Sequence, residues 1–331
     1  GSSNLEIITE TGANTITANA SLGGASVFNF SDDDNQTLTL TSAAAGGTYD
    51  QAVTVYLSYG TAHDDTNADV ITNSKGVALN VIGDADTFDA NTTITGSATG
   101  VDTITVIADA DGTGATFAAM TYIDKVVVQD SATAGEDVII TPRATDATTP
   151  LLTVDATQLD SGTGTAQETL KLVGTSVTVT KLDVTGGGGN DSLYGGQKND
   201  TLEGGVGIDS INGNEGADSL SGGAGNDIFL VDALSDHYTA ALGSDTIQGG
   251  AGTDTVTWAA ATTASATALA TIYDTEVWTV PNDSSFTLSD TVIANNPGLS
   301  ISISGNGTIT SGEDSVGASL MTSPLTITST T

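Results

Sequence analysis

The chain has 331 residues, of which 41 are acidic and 6 basic, for a formal net charge of −35 at pH 7. That balance excludes a nucleic-acid binder, which needs clustered Lys and Arg against phosphates, and it excludes docking on an anionic membrane. Hydrophobic residues make up 38% of the chain, enough to bury a core, and cysteine is absent, which removes disulfides, cysteine-type zinc sites and thiol nucleophiles.

Of the acids, 33 are Asp and only 8 are Glu. Asp favours turns and oxygen-ligand metal sites, so the folded chain is expected to hold divalent cations that offset part of its charge. Thr occurs 57 times and Gly 40 times, against 5 Pro. In chain order, Leu38-Thr39-Leu40, Val53-Thr54-Val55, Ile301-Ser302-Ile303 and Leu325-Thr326-Ile327 alternate apolar and polar residues, the period of a half-buried strand. Gly, Asn and Asp clusters punctuate these runs, and no long amphipathic helix stands out. The expected organisation is a β-rich N-terminal domain over 1–120, a β-rich connection over 121–185, a repeat segment over 186–257 and a β-rich C-terminal segment over 258–331. The uncharged stretch Thr255 to Tyr273 is too polar to insert in a membrane.

The repeat is nine residues long. It begins at Gly186-Gly187-Gly188-Gly189-Asn190-Asp191-Ser192-Leu193-Tyr194 and returns at Gly195, Gly204, Gly213 and Gly222. The sixth place is Asp191, Asp200, Asp209, Asp218 and Asp227; the eighth is Leu193, Leu202, Ile211, Leu220 and Phe229. A full unit recurs at Gly249 with Asp254 and Val256, preceded by a half unit, Gly243-Ser244-Asp245-Thr246-Ile247. Val231 to Thr239 has no glycine, yet Asp236 keeps the nine-residue phase; the stretch reads as an insertion or as a degenerate unit.

This nonapeptide resembles the calcium-binding repeat of RTX (repeats-in-toxin) proteins. The resemblance implies an all-β fold, a parallel β-roll in which one turn takes two repeats, with β-rich solenoid or sandwich segments on either side. It implies Ca²⁺ as the cofactor, about three to six ions in the roll, held by Asp191, Asp200, Asp209, Asp218, Asp227, Asp245 and Asp254. Backbone carbonyls of Gly187, Gly189, Gly196, Gly205, Gly207, Gly216, Gly223, Gly225, Gly250 and Gly252 would complete the oxygen cages. The stacked pairs are then Asp191–Asp209, Asp200–Asp218 and Asp209–Asp227. If the phase runs through the gap, Asp218–Asp236, Asp227–Asp245 and Asp236–Asp254 follow. Lys198 and Asn214 replace glycines of the pattern and weaken that side of the roll.

Further candidate calcium turns are Asp102, Asp137 and Asp314, each in a Gly-x-Asp-x-apolar half unit, and Asp109 with Asp111 in a DxDG run. Each also reads as an ordinary Asp turn, and the acidic clusters Asp32-Asp33-Asp34 and His63-Asp64-Asp65 read as loop tips. Gly100 to Val106 is echoed by Tyr122 to Val128, and Gly252 to Trp258 by Tyr273 to Val280, so one two-strand element stands on both sides of the repeat. This arrangement is similar to RTX-type surface-layer proteins, which implies a secreted, extracellular structural protein of the bacterial cell surface that self-associates through calcium. An adhesin segment, holding a surface or a cell-surface polysaccharide, is the alternative; the non-catalytic part of a secreted RTX enzyme is a second. No His-Glu-x-x-His or Gly-x-Ser-x-Gly motif occurs, so no enzyme is expected.

Overall fold

The computed structural model describes residues 5–9, 14–18, 26–30, 36–40, 52–57, 69–74, 78–84, 87–88, 91–108, 114–117, 120–130, 137–143, 151–159, 168–231, 245–259, 261, 263–304, 308–311 and 326–330. Its strands pair in parallel, and the chain divides into two compact units, Gly1–Val173 and Gly174–Thr331.

In the first unit, one sheet runs through β1 (Leu5–Thr9), β3 (Ser26–Phe30), β5 (Val53–Tyr56), β7 (Leu79–Asp84), β9 (Thr103–Ile107), β12 (Lys125–Gln129) and β14 (Leu151–Gln158). A second runs through β2 (Asn14–Ala18), β4 (Gln36–Leu40), β6 (Val70–Asn73), β8 (Thr93–Thr95) and β11 (Met120–Thr121), and a third through β10 (Gly114–Thr116), β13 (Asp137–Thr141) and β15 (Thr169–Val173). Successive strands visit different sheets and pair one coil later, which is the winding of a solenoid. The alternating strand pattern turns one side chain in two inward. Phe28, Val55, Val81, Ile104, Val126 and Val154 therefore stack in register down one wall, all 0% exposed. Parallel register places like on like at each coil, so each apolar residue buries its neighbours' faces.

The second unit follows the same plan with shorter coils. One sheet holds β16 (Lys181–Gly188), β18 (Thr201–Val206), β20 (Ser219–Ala224), β22 (Thr246–Ala251) and β25 (Ile272–Tyr273). The other holds β17 (Ser192–Tyr194), β19 (Ser210–Asn212), β21 (Ile228–Val231), β23 (Thr255–Trp258), β26 (Val277–Val280), β28 (Ser300–Ser304) and β30 (Thr326–Thr330). A small sheet, β24 (Thr263–Ala264), β27 (Ser285–Leu288) and β29 (Thr308–Ser311), widens the last coils. The eighth-position residues Leu193, Ile211, Phe229 and Val256 stack in register and continue into Trp278 and Ile301, all 0% exposed. Two short helices, α1 (Ala266–Leu269) and α2 (Asp290–Asn295), start at Ser265 and Ser289, whose side chains cap the first free amides. Trp258 meets Trp278 and Phe286 edge-on at centroid distances of 5.4 and 4.9 Å, filling the broader core of these coils.

The β-rich flanks are thus parallel solenoid coils. The expected cuts at 185/186 and 257/258 fall inside β16 and β23, and β9 pairs with β12 across 120/121.

Candidate metal centre

A glycine loop, an Asp and a short strand make each corner of the roll. The Asp side chains turn inward: Asp191, Asp200, Asp209, Asp218, Asp227, Asp245 and Asp254 are at most 3% exposed. From Asp200 onward their Oδ1 atoms accept main-chain N–H groups from the coil before. Asp191 donates to Asp209 at 2.7 Å, Asp200 to Asp218 at 2.7 Å, Asp209 to Asp227 at 2.9 Å, and Leu182 to Asp200 at 2.8 Å. Two carboxylate–amide ladders result: Asp191, Asp209, Asp227 and Asp254 along one edge, and Asp200, Asp218 and Asp245 along the other.

The expected pairs Asp191–Asp209, Asp200–Asp218 and Asp209–Asp227 are brought together. The pairs Asp218–Asp236, Asp227–Asp245 and Asp236–Asp254 are not. Asp218 donates to Asp245, and Asp227 to Asp254, each at 2.8 Å and 27 residues on. The strands agree, with Ser219 opposite Thr246 and Ile228 opposite Thr255. The nine extra residues therefore form an insertion whose length matches one repeat, which is why the phase survived in the sequence. Asp236 lies outside the described residues, as do Asp109, Asp111, Asp314 and the two acidic clusters at 32–34 and 63–65.

The second oxygen of these carboxylates is the informative one. Oδ2 of Asp209, Asp218, Asp227 and Asp254 is buried and has no hydrogen-bond partner. It turns back into its own loop: a Cβ on Gly204 would sit 2.2 Å from Asp209 Oδ2, and one on Gly222 would sit 2.2 Å from Asp227 Oδ2. The first glycine of each unit is thus required by the carboxylate itself. A buried, half-satisfied carboxylate is strongly disfavoured in its charged form. Burial pushes Asp200, Asp209 and Asp254 up to about 6 and Asp218 to about 8, and it raises Asp227 as well. Neighbouring charge adds to burial along the ladder: Asp227 acts on Asp209, and Asp245 and Asp200 act on Asp218.

The second and fourth places of the unit take positive φ. Gly187, Gly189, Gly205, Gly207, Gly216, Gly223, Gly225, Gly250 and Gly252 do so, with φ between 88° and 151°. Gly207 shows why no side chain is tolerated: its φ is +142°, and a Cβ would lie 1.6 Å from the Gly189 carbonyl oxygen. Asn214 enters the region at φ 62°, whereas Gly196 and Lys198 do not.

The donors present fit a hard, oxygen-seeking divalent cation. They comprise unpartnered carboxylate oxygens and loop carbonyls, with no sulfur. Among the described residues no three His, Cys, Asp or Glu side chains converge, so each ion would rest on carbonyls and one or two carboxylates. Asp102 is different. Its Oδ1 accepts Leu79 N–H at 2.8 Å and Asn73 Nδ2 at 3.3 Å, and its Oδ2 accepts Ser97 N–H at 2.5 Å, so protein donors meet both oxygens. Asp137 is exposed, and its Oδ1 accepts Thr169 Oγ1 at 2.7 Å.

Some members of the ladder escaped sequence reasoning. Asp124 Oδ2 accepts Asp102 N–H at 2.9 Å, and Glu276 Oε2 accepts Asp254 N–H at 2.8 Å. Both lie 22 residues beyond their donors, so the echo of Gly100–Val106 in Tyr122–Val128, and of Gly252–Trp258 in Tyr273–Val280, marks adjacent coils with one corner geometry. Tyr122 and Asp274 even take the left-handed turn at φ 58° and 48°, the place held by Gly100 and Gly252 one coil earlier. Asn296, fully buried, ends the series by accepting from Thr275 N–H at 3.1 Å and Thr275 Oγ1 at 2.7 Å.

Comparison with protein families matches the RTX calcium-binding nonapeptide repeat in four copies, over residues 185–207, 194–229, 203–238 and 232–257. Comparison with curated proteins and with solved structures gives no match. Residues 185–257 match RTX calcium-binding repeats, and their described strands wind as a parallel β-roll.

Proposed function

We propose that the chain is a segment of a secreted, calcium-dependent structural protein of the bacterial cell surface, of surface-layer or extracellular-matrix type, which folds and self-associates when calcium binds. One observation carries this reading: buried Asp carboxylates stack coil upon coil with inner oxygens that the protein leaves unmet. Calcium supplies the positive charge that these carboxylates lack, and carbonyls of the positive-φ glycines complete its shell. Below its folded pKa each Asp is neutral and tolerated; above it the charged form opposes closure of the coil. A ligand that meets only the closed form stabilises it by mass action, so the chain stays loose where calcium is scarce and folds where it is millimolar. RTX repeat proteins are typically secreted, which fits that difference. The remaining surface charge, from a net −35, repels other copies until cations screen or bridge it, which couples assembly to the same ion. No catalytic role is part of this reading.

The test is a calcium titration of the chain followed together by circular dichroism and light scattering. Strand signal and particle size should rise together as calcium reaches millimolar. A chain that gains strand signal but stays monomeric at high concentration defeats the assembly part.

A second reading, an adhesin segment, draws on the outer face of the first unit. An open groove of about 440 Å³ there is lined by Asn80, Thr103, Thr105, Gln129, Gln158 and the Lys125–Asp155 ion pair, a row of groups suited to sugar hydroxyls. Saturable binding of a cell-surface polysaccharide by the monomer would favour it over the lattice.

A further inference from the structure

Loop 195–200 differs from the other corners in what meets its carboxylate, whereas Asp218 on the same edge keeps a buried Oδ2 with no hydrogen-bond partner, as the first-edge acids do. On the first edge, four loops at 186–191, 204–209, 222–227 and 249–254 keep glycine at both positive-φ places. Asp209, Asp227 and Asp254 there each bury an Oδ2 with no hydrogen-bond partner. On the second edge, loops 195–200 and 213–218 are joined by the protein's own groups. Asn214 Nδ2 donates to the Gly195 carbonyl at 2.8 Å, and Glu215 N–H to the Gly196 carbonyl at 3.1 Å. Gly196 N–H donates to Asp200 Oδ2 at 2.6 Å, closing the oxygen that stays open at Asp209. The backbone follows suit: Gly196 and Lys198 leave the positive-φ region used at the same places of the first-edge loops. Gln197 N–H is also tied to the Val177 carbonyl at 2.9 Å.

We propose that calcium loads the first edge, one ion in each of its three intervals, and that the interval between loops 195–200 and 213–218 takes none. A lock made of Asn214, Glu215 N–H and Gly196 N–H replaces the ion there. The Glu215 N–H occupies the Gly196 carbonyl, one of those expected to hold an ion, and the amide of Asn214 the Gly195 carbonyl beside it; a donor cannot share that lone-pair direction with a cation. A glycine at 214, as at Gly205, Gly223 and Gly250, has no such donor. This inference rests on the calcium reading above and goes beyond it by saying which interval is silent.

Native mass spectrometry of the full chain counts the ions bound. Asp209→Asn should lose at least one ion, Asp200→Asn should keep the original count, and the double variant Lys198→Gly/Asn214→Gly should gain one. In calcium-free buffer, hydrogen exchange at Gly196 and Glu215 should be at least tenfold slower than at Gly207 and Asp209. Loss of an ion in Asp200→Asn, or no gain in the double variant, overturns the lock. Where Asp200→Asn does not fold, the double variant decides alone. A full count in Asp209→Asn overturns the calcium reading of the roll itself, so the two failures are distinct.

Discussion

In the absence of calcium, raising the pH from 5 to 7 should unfold the roll, although ordinary carboxylates are already ionised across that window. Asp200, Asp209 and Asp254 are held near 6 against an unperturbed 3.8. A folded pKa above the unfolded value contributes stability that is full below the unfolded pKa and lost as pH passes the folded one. Between pH 5 and 7 each such group costs about 1 kcal/mol, and Asp218, held near 8, costs about 2 to 3. The combined loss of about 5 kcal/mol is comparable to the whole stability of a modest domain. With a urea slope of about 1–3 kcal/mol per molar, the midpoint should fall by more than about 1 M. Trp258 and Trp278, 3% and 0% exposed at the end of the roll, report it by fluorescence. In saturating calcium the order should reverse, because protons then compete with the ion for the same oxygens. A calcium-free midpoint that holds or rises between pH 5 and 7 would refute the reasoning, since it would mean that the buried carboxylates are satisfied without a cation.

Other outcomes are as specific. Asp209 faces two first-edge intervals and Asp191 one, so Asp209→Asn should raise the calcium midpoint for folding more than Asp191→Asn; equal midpoints by circular dichroism contradict the ladder. Gly207→Ala sets a Cβ 1.6 Å from the Gly189 carbonyl oxygen and should abolish the calcium-induced strand signal, whereas Gly298→Ala, at φ +83° with open space around it, should cost only about 1 kcal/mol in urea melts. Asn296→Ala removes the buried acceptor of Thr275 and the donor to the Ile272 and Val292 carbonyls at 2.9 and 2.8 Å. It should lower stability by about 2–4 kcal/mol while leaving the number of bound ions unchanged.

The roll was legible because its coils have constant length. Leu193, Ile211 and Phe229 are spaced by eighteen residues, and the strict phase exposed both the core row and the Asp ladder. In the first unit the equivalent row, Phe28, Val55, Val81, Ile104, Val126 and Val154, is spaced by 27, 26, 23, 22 and 28 residues. Loops of unequal length erase the period while leaving the winding intact, so solenoid and sandwich stayed equal in the sequence. Glu276 and Asn296 were hidden for a related reason: the corner needs an oxygen acceptor, and several side chains provide one. The insertion after Val231 was hidden by coincidence, its length being that of one repeat. What the sequence could not carry at all was the split between met and unmet Oδ2 atoms, which depends on where the Gly196 amide comes to rest.

That insertion has a practical meaning. The coils on either side of it, ending at Val231 and resuming at Asp245, pair as closely as coils joined without one, Val231 opposite Trp258 and Asp227 bonded to Asp254. Alignment is enforced locally by the corner acceptor and the apolar stack, and the length of the connecting thread is irrelevant to it. A corner of this kind lets the chain between two coils differ in length while the coils themselves keep their register.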